Sequence, residues 1–141
     1  MPIDDVAALL AARGQRYTAS RQLVVEVLAA AERPLSLAEI VERCPRLALS
    51  STYRNLGILE ERGVVRRILD GDGVAHFELS EAITGHHHHA VCRSCGQMQR
   101  VRLPAAIEQG LDALGQRLSQ GGDFQLSEHR VELIGVCGRC R

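Results

Sequence analysis

Four consecutive histidines, His86, His87, His88 and His89, are followed three residues on by Cys92-x-x-Cys95, and a second Cys-x-x-Cys pair is formed by Cys137 and Cys140. Imidazole and thiolate are ligands for Zn, Fe, Ni and Cu, so these residues read first as metal chemistry. In an extended strand successive side chains point to opposite faces, which puts His86 and His88 on one face and His87 and His89 on the other. One short run can therefore feed two separate metal sites. The competing readings are a solvated polar stretch or the remnant of a purification tag, but a tag sits at a terminus and this run lies inside the chain.

Four thiolates at this spacing suit tetrahedral zinc with Zn–S bonds of ~2.3 Å, and a site with every position filled is structural. By tying the last strand to the middle of the chain, such a site stabilises a small domain that is short of core. A redox disulfide or an Fe–S cluster is the alternative, and no thioredoxin-like pattern surrounds either pair. The fifth cysteine, Cys44, reads as a small buried residue at a helix end. With no export signal, lipidation motif or long apolar run, the expectation is a soluble cytoplasmic protein whose thiols stay reduced.

The elements that must position these ligands come from 141 residues, enough for one ordinary domain or two small ones. Aromatic residues make up only 3% and Trp is absent, so the core must be built from Leu, Val, Ile and Ala. The 17 basic residues are all arginine and are balanced by 17 acidic ones, which argues against a non-specific polycation. They are unevenly placed: from Arg43 to Arg67 six arginines face two glutamates. A local basic face of that kind is what binds phosphate.

Apolar spacing predicts a short helix from Ile3 to Arg13 that stops at Gly14, then a second capped by Thr18 with Leu23, Val24, Val27 and Leu28 in its stripe. A third, capped by Ser36, carries Leu37, Ile40 and Val41 and ends before Pro45. A fourth opens at Ser50-Ser51, buries Leu56, Ile58 and Leu59, and closes at Gly63. Val64 to Leu69 and Val74 to Leu79 read as two strands around a Gly-rich turn. Helices with helix-turn-helix spacing followed by a hairpin are the pattern of a winged helix. Ser80 to Gly85 is polar and small, as a hinge would be. Strands over His86–Val91 and Met98–Val101, a helix from Pro104 carrying Ile107, Leu111, Leu114 and Leu118, and a last strand over His129–Val136 complete the chain.

Thr52-Tyr53-Arg54 with Leu56, the Phe77-Glu78-Leu79 strand, the histidines leading into Cys92 and Cys95, the isolated His129 and the terminal cysteine pair together resemble the ferric uptake regulator (Fur) family, along essentially the whole chain and in the family's order. The resemblance implies a dimeric metal-sensing transcriptional repressor of α+β class, in which an N-terminal winged-helix DNA-binding domain over 1–80 is joined by a hinge at 81–85 to a small α/β dimerisation and metal-binding domain over 86–141. It implies a structural Zn(2+) on Cys92, Cys95, Cys137 and Cys140, and a second metal site on His86, His88, Glu108 and His129. It also implies a regulatory metal near the hinge on His87, His89 and Glu78. The sequence departs from the family pattern around that hinge site: Gln99 and Arg100 stand where many members place a carboxylate, Pro34 where a histidine is frequent, and Ser80 and Glu81 where zinc-sensing members often have a cysteine. His76, two residues from Glu78 on the same strand face, is the first candidate to complete the set, with Glu81 and Cys44 next.

For DNA, Ser51, Thr52, Tyr53, Arg54 and Asn55 occupy the first turns of the expected recognition helix. Arg16 and Arg21 look like the family's additional backbone contacts. Arginine can reach guanine or phosphate, and Tyr53 a thymine methyl or phosphate. The partners expected are a second copy of the chain and double-stranded operator DNA with pseudo-twofold symmetry. Zn(2+) is placed ahead of Fe(2+) as the sensed metal, with nickel or manganese sensing or a peroxide-sensing iron site as variants. A zinc-dependent hydrolase is the reading from another class, but no His-Glu-x-x-His helix supports it.

Overall fold

The computed structural model describes residues 3–141. After a 3-10 turn at Ile3–Asp5, α1 (Val6–Ala11) buries Val6 and Leu10. Helix α2 (Ala19–Ala31) starts where Thr18 Oγ1 accepts the Arg21 N–H at 3.2 Å, and ends at Glu32, which sits in the left-handed region with φ 56°. Its buried stripe is Val24, Val25 and Leu28, with Leu23 and Val27 half-buried. Helix α3 (Leu37–Arg43) carries a full capping box, Ser36 and Glu39 each taking the other's backbone N–H.

The expected start of the fourth helix is one residue late. Helix α4 runs Leu49–Glu61 with Ala48 at its N-cap and no side-chain cap, and the Ser51 hydroxyl turns back to donate to the Ala48 carbonyl at 3.3 Å. Leu56 and Leu59 are buried as expected, together with Thr52, while Ile58 is half-buried.

A strand that the periodicity could not reveal is β1 (Leu35–Ser36), only two residues long. It pairs with β3 (Ala75–Leu79), which also pairs antiparallel with β2 (Val65–Leu69), giving the order β1-β3-β2. Phe77 and Leu79 point into the helical core, leaving His76 and Glu78 on the opposite face. At the wing turn, Asp70 Oδ1 accepts the N–H groups of Asp72 (2.9 Å) and Val74 (3.0 Å), and Gly73 takes φ 80°.

The expected hinge is one helical turn, α5 (Glu81–Thr84). Beyond it β4 (His88–Cys92) is the centre of a second sheet, antiparallel to β5 (Met98–Val101) and parallel to β6 (Glu132–Gly135). Helix α6 (Ala105–Ser119) makes the crossover between the outer two strands. The last strand is shorter than expected, so His129 lies in the segment leading into it. Ile68, Val91 and Met98 form a small buried cluster that joins the wing sheet to the second sheet. The fold is α+β, a winged helix followed by a small α/β unit. Among the described residues no helix is long and apolar enough to cross a membrane.

Candidate metal centres and nucleic-acid face

Three groups of donor atoms converge, each within a 4.8 Å span: Cys92, Cys95, Cys137 and Cys140; His86, His88, Glu108 and His129; and Glu78, His87 and His89. The thiols come from the β4–β5 turn and from the turn after β6, which parallel pairing of β4 with β6 brings alongside. Cys95 and Cys137 Sγ are 3.8 Å apart. A tetrahedral ion with ~2.3 Å bonds sets sulfurs ~3.8 Å apart, so the spacing fits zinc. The Cys137 and Cys95 amides donate to Cys92 Sγ at 3.3 and 3.5 Å and pull its pKa down to about 6. Cys140, crowded by Cys137, is pushed up to about 11. Thiols spread in this way lose all their protons together only when a cation neutralises them.

In the second group, β4 carries His88 and the bend just before it carries His86, and both face α6, where Glu108 stands in the first turn. Nε2 of His86 and His129 are 3.1 Å apart, and each lies near Glu108 Oε2, at 3.2 and 2.9 Å. Tetrahedral bonds of ~2.0–2.1 Å place donors ~3.3 Å apart, so these three suit an ion. His88 is differently held: the Val131 N–H donates to its Nδ1 at 3.2 Å, and its Nε2 donates to Glu108 Oε1 at 2.6 Å.

The third group is the most enclosed. Glu78 is 0% exposed, and Nε2 of His87 and His89 each lie 3.0 Å from its Oε1. Burial would raise the Glu78 pKa, but His89, Arg66 and His87 hold it down at about 2. Two guanidiniums reach the same carboxylate: Arg66 at 2.7 Å and Arg100 at 3.4 Å. The expectations for filling this set need correction. His76 shares the strand face, but its Nε2 pairs with Asp70 at 2.9 Å in the wing turn. Cys44 is buried in the helical core. Glu81 reaches the neighbourhood but binds Arg66 and His86.

The expected DNA contacts divide. Tyr53, Arg54 and Arg16 are exposed, and Ser51 is half-exposed. Thr52 is fully buried, because its position in the helix turns it inward with Leu56 and Leu59. Its hydroxyl finds no partner there. We expect Thr52→Val to leave duplex affinity within about twofold and to raise stability by ~1 kcal/mol, by anisotropy and urea unfolding; a large affinity loss with unchanged stability would return Thr52 to the DNA face. Arg21 is engaged within the chain, donating Nε to Asn55 Oδ1 (3.0 Å) and Nη1 to the Arg16 carbonyl (2.6 Å) and to Gln15 (3.2 Å). Arg21 and Asn55, both expected to touch DNA, also join α2 to α4. Leu49, 57% exposed at the first position of α4, was missed because the helix was expected to begin after it.

The chain matches the model of the Ferric uptake regulator family over residues 12–134. It is 31% identical to the Ferric uptake regulation protein of Bacillus subtilis, covering 98% of this chain and 93% of that protein. It is 29% identical to the Peroxide operon regulator of the same organism, covering 90% and 85%. The crystal structure of the Vibrio cholerae ferric uptake regulator superposes with TM-score 0.75 at 27% identity, covering 92% of this chain and 98% of that one.

Proposed function

Because the chain belongs to the ferric uptake regulator family, we propose that it is a metal-dependent transcriptional repressor that works in the cytoplasm, as a homodimer on operator DNA. Members of this family are metal-responsive transcriptional regulators, not enzymes, which removes the hydrolase reading. One observation carries the proposal. The histidine run lies between a winged helix with an exposed Tyr53 and Arg54 and a sheet unit closed by four cysteines, and its alternate rings feed two donor groups.

On this reading the domains are 1–80 and 86–141 with the helical turn at 81–85 between them, and the four cysteines hold a structural zinc. That ion supplies fixed cross-linking charge and no open coordination position. The responding ion is zinc ahead of iron: the imidazoles of His86 and His129 and the Glu108 carboxylate converge at the donor spacing of a tetrahedral zinc set, whereas Fe(II) in nitrogen and oxygen sites commonly takes more widely spread positions. A peroxide sensor is disfavoured because the donor groups contain Glu78 and Glu108 and no aspartate.

The test is selection from a random duplex pool by purified protein, with and without added Zn(II), Fe(II), Mn(II) or Ni(II). Metal-dependent enrichment of a pseudo-palindrome is the expected result, and enrichment indifferent to every metal removes the reading. On the selected duplex, Arg54→Ala should weaken binding by ~1–3 kcal/mol, roughly ten- to a hundredfold, if it reads a base edge.

A further inference from the structure

Arg66 stands directly opposite Glu78 in the β2–β3 ladder. Its Nε and Nη2 both lie 2.7 Å from Glu78 Oε1, its Nη1 donates to Glu81 at 3.1 Å, and Nη2 points at Nε2 of His87 from 3.4 Å. From the second sheet, Arg100, the ladder partner of His89, brings Nε to Glu78 Oε2 at 3.4 Å. The carboxylate is thus gripped by a guanidinium from each side of the junction between the wing and the α/β unit.

The burial of Glu78 shows why a cation is needed there. Nδ1 of His87 lies 2.9 Å from the Gly85 carbonyl and its Nε2 3.0 and 3.1 Å from the Glu78 oxygens, and Glu78 is 0% exposed. A carboxylate taken out of water is stable only with positive charge beside it. Arg66 supplies that charge, with all three guanidinium nitrogens bonded. A divalent ion taking the same oxygen and nitrogen would stand against two fixed positive charges in a buried setting, where repulsion is poorly screened. In the group around Glu108, by contrast, no guanidinium bonds to a donor atom among the described residues; Arg102 reaches only the His86 carbonyl.

Glu81 connects the two. It lies 3.1 Å from Arg66 Nη1 and 3.2 Å from Nδ1 of His86, whose Nε2 faces Glu108 and His129. A metal held on Nε2 leaves the ring proton on Nδ1, as a donor to Glu81. We propose that Arg66, and not a metal ion, is the resident cation of the Glu78, His87 and His89 group, and that Glu81, resting on the metal-responsive reading above, carries ion occupancy at His86, Glu108 and His129 to this latch and so to the wing. The junction is then closed by an internal ion pair, and the histidine run senses through its other face.

The experiment counts ions and measures DNA affinity on the full-length, zinc-loaded chain, titrated with Co(II) and followed by ligand-field absorption. Wild type and His87→Ala should each take up about one further ion per chain with similar affinity, Glu108→Gln should take up none, and Arg66→Met with Arg100→Met should gain an ion. Retention of the cysteine-bound zinc and an unchanged far-UV spectrum verify that each variant is folded. Loss of the ion in His87→Ala, or no gain in the double variant, overturns the latch. Glu81→Gln should keep the ion yet reduce the metal-induced gain in duplex affinity by ~10-fold, and an unchanged gain overturns the relay. Wild-type binding that ignores metal overturns the repressor reading and the relay with it, whereas the latch is decided by the ion count alone.

Discussion

Replacing Cys137 by serine is expected to release the zinc proposed for the four cysteines and to unfold the C-terminal half of the chain, the largest effect of any single substitution here. The four thiols are all free of disulfides, and β6, the strand they anchor, is four residues long with an exposed Leu133 and Ile134. Its parallel pairing with β4 closes a long loop through α6. Little else retains it, because the buried apolar cluster on that side is Ile68, Val91 and Met98, one member of which belongs to the wing. Zinc on four thiolates contributes folding free energy on the scale of ~10–16 kcal/mol in zinc-finger peptides, against a net stability of ~5–15 kcal/mol for an ordinary domain. Removing one ligand should therefore separate two melting events. The helical core around Leu28, Leu56 and Phe77 persists while the second sheet melts. Calorimetry together with zinc release to a chromophoric chelator measures this. A Cys137→Ser chain that keeps its second sheet and its full complement of zinc would show that the cysteines do not carry the fold.

The cysteine pairs and the two-faced histidine run were legible because their information is local: a turn spacing and a period of two survive any packing. Glu108 and His129 come together only through the crossover of α6, and they entered the sequence reading by family resemblance rather than by spacing. Arg66 shows what could not be read. Had the strands paired from Leu69 and Val74, Arg66 would lie opposite Phe77 and on the core face. The actual turn leaves Val74 outside the ladder, pairs Leu69 with Ala75, and sets Arg66 against Glu78. One residue of register moves every side chain to the other face, and loop composition alone did not decide it. Thr52 was misplaced for a similar reason. Its residue type suits phosphate, but the rotation of α4 turns it into the interior.

A second large effect is expected from Leu114→Glu on α6, a conversion of dimer to monomer. Ile107, Leu111, Leu114 and Leu118 form one stripe, and three of them are 47–49% exposed, with little of this chain packed over them. Leu133 and Phe124 add further uncovered apolar surface at 51% and 53%. A helix with such a stripe normally buries it, and in a twofold assembly the same patch meets its own copy, so one substitution acts twice. Losing two leucine burials at ~1.5–3 kcal/mol each removes about 3–6 kcal/mol before the cost of burying two carboxylates is counted. DNA binding should fall with the dimer. A monomer offers one α4 to one half-site, and loss of the second docking returns affinity toward the non-specific range, ~10³-fold or more weaker. Sedimentation velocity gives the oligomeric state, and anisotropy on the selected duplex gives affinity. Because Leu114 is neither a member of the cysteine group nor part of α4, its variant should keep its zinc and its fold. A Leu114→Glu chain that stays dimeric would move the interface to another surface, whereas a monomer with undiminished duplex affinity would break the link between twofold symmetry and operator recognition.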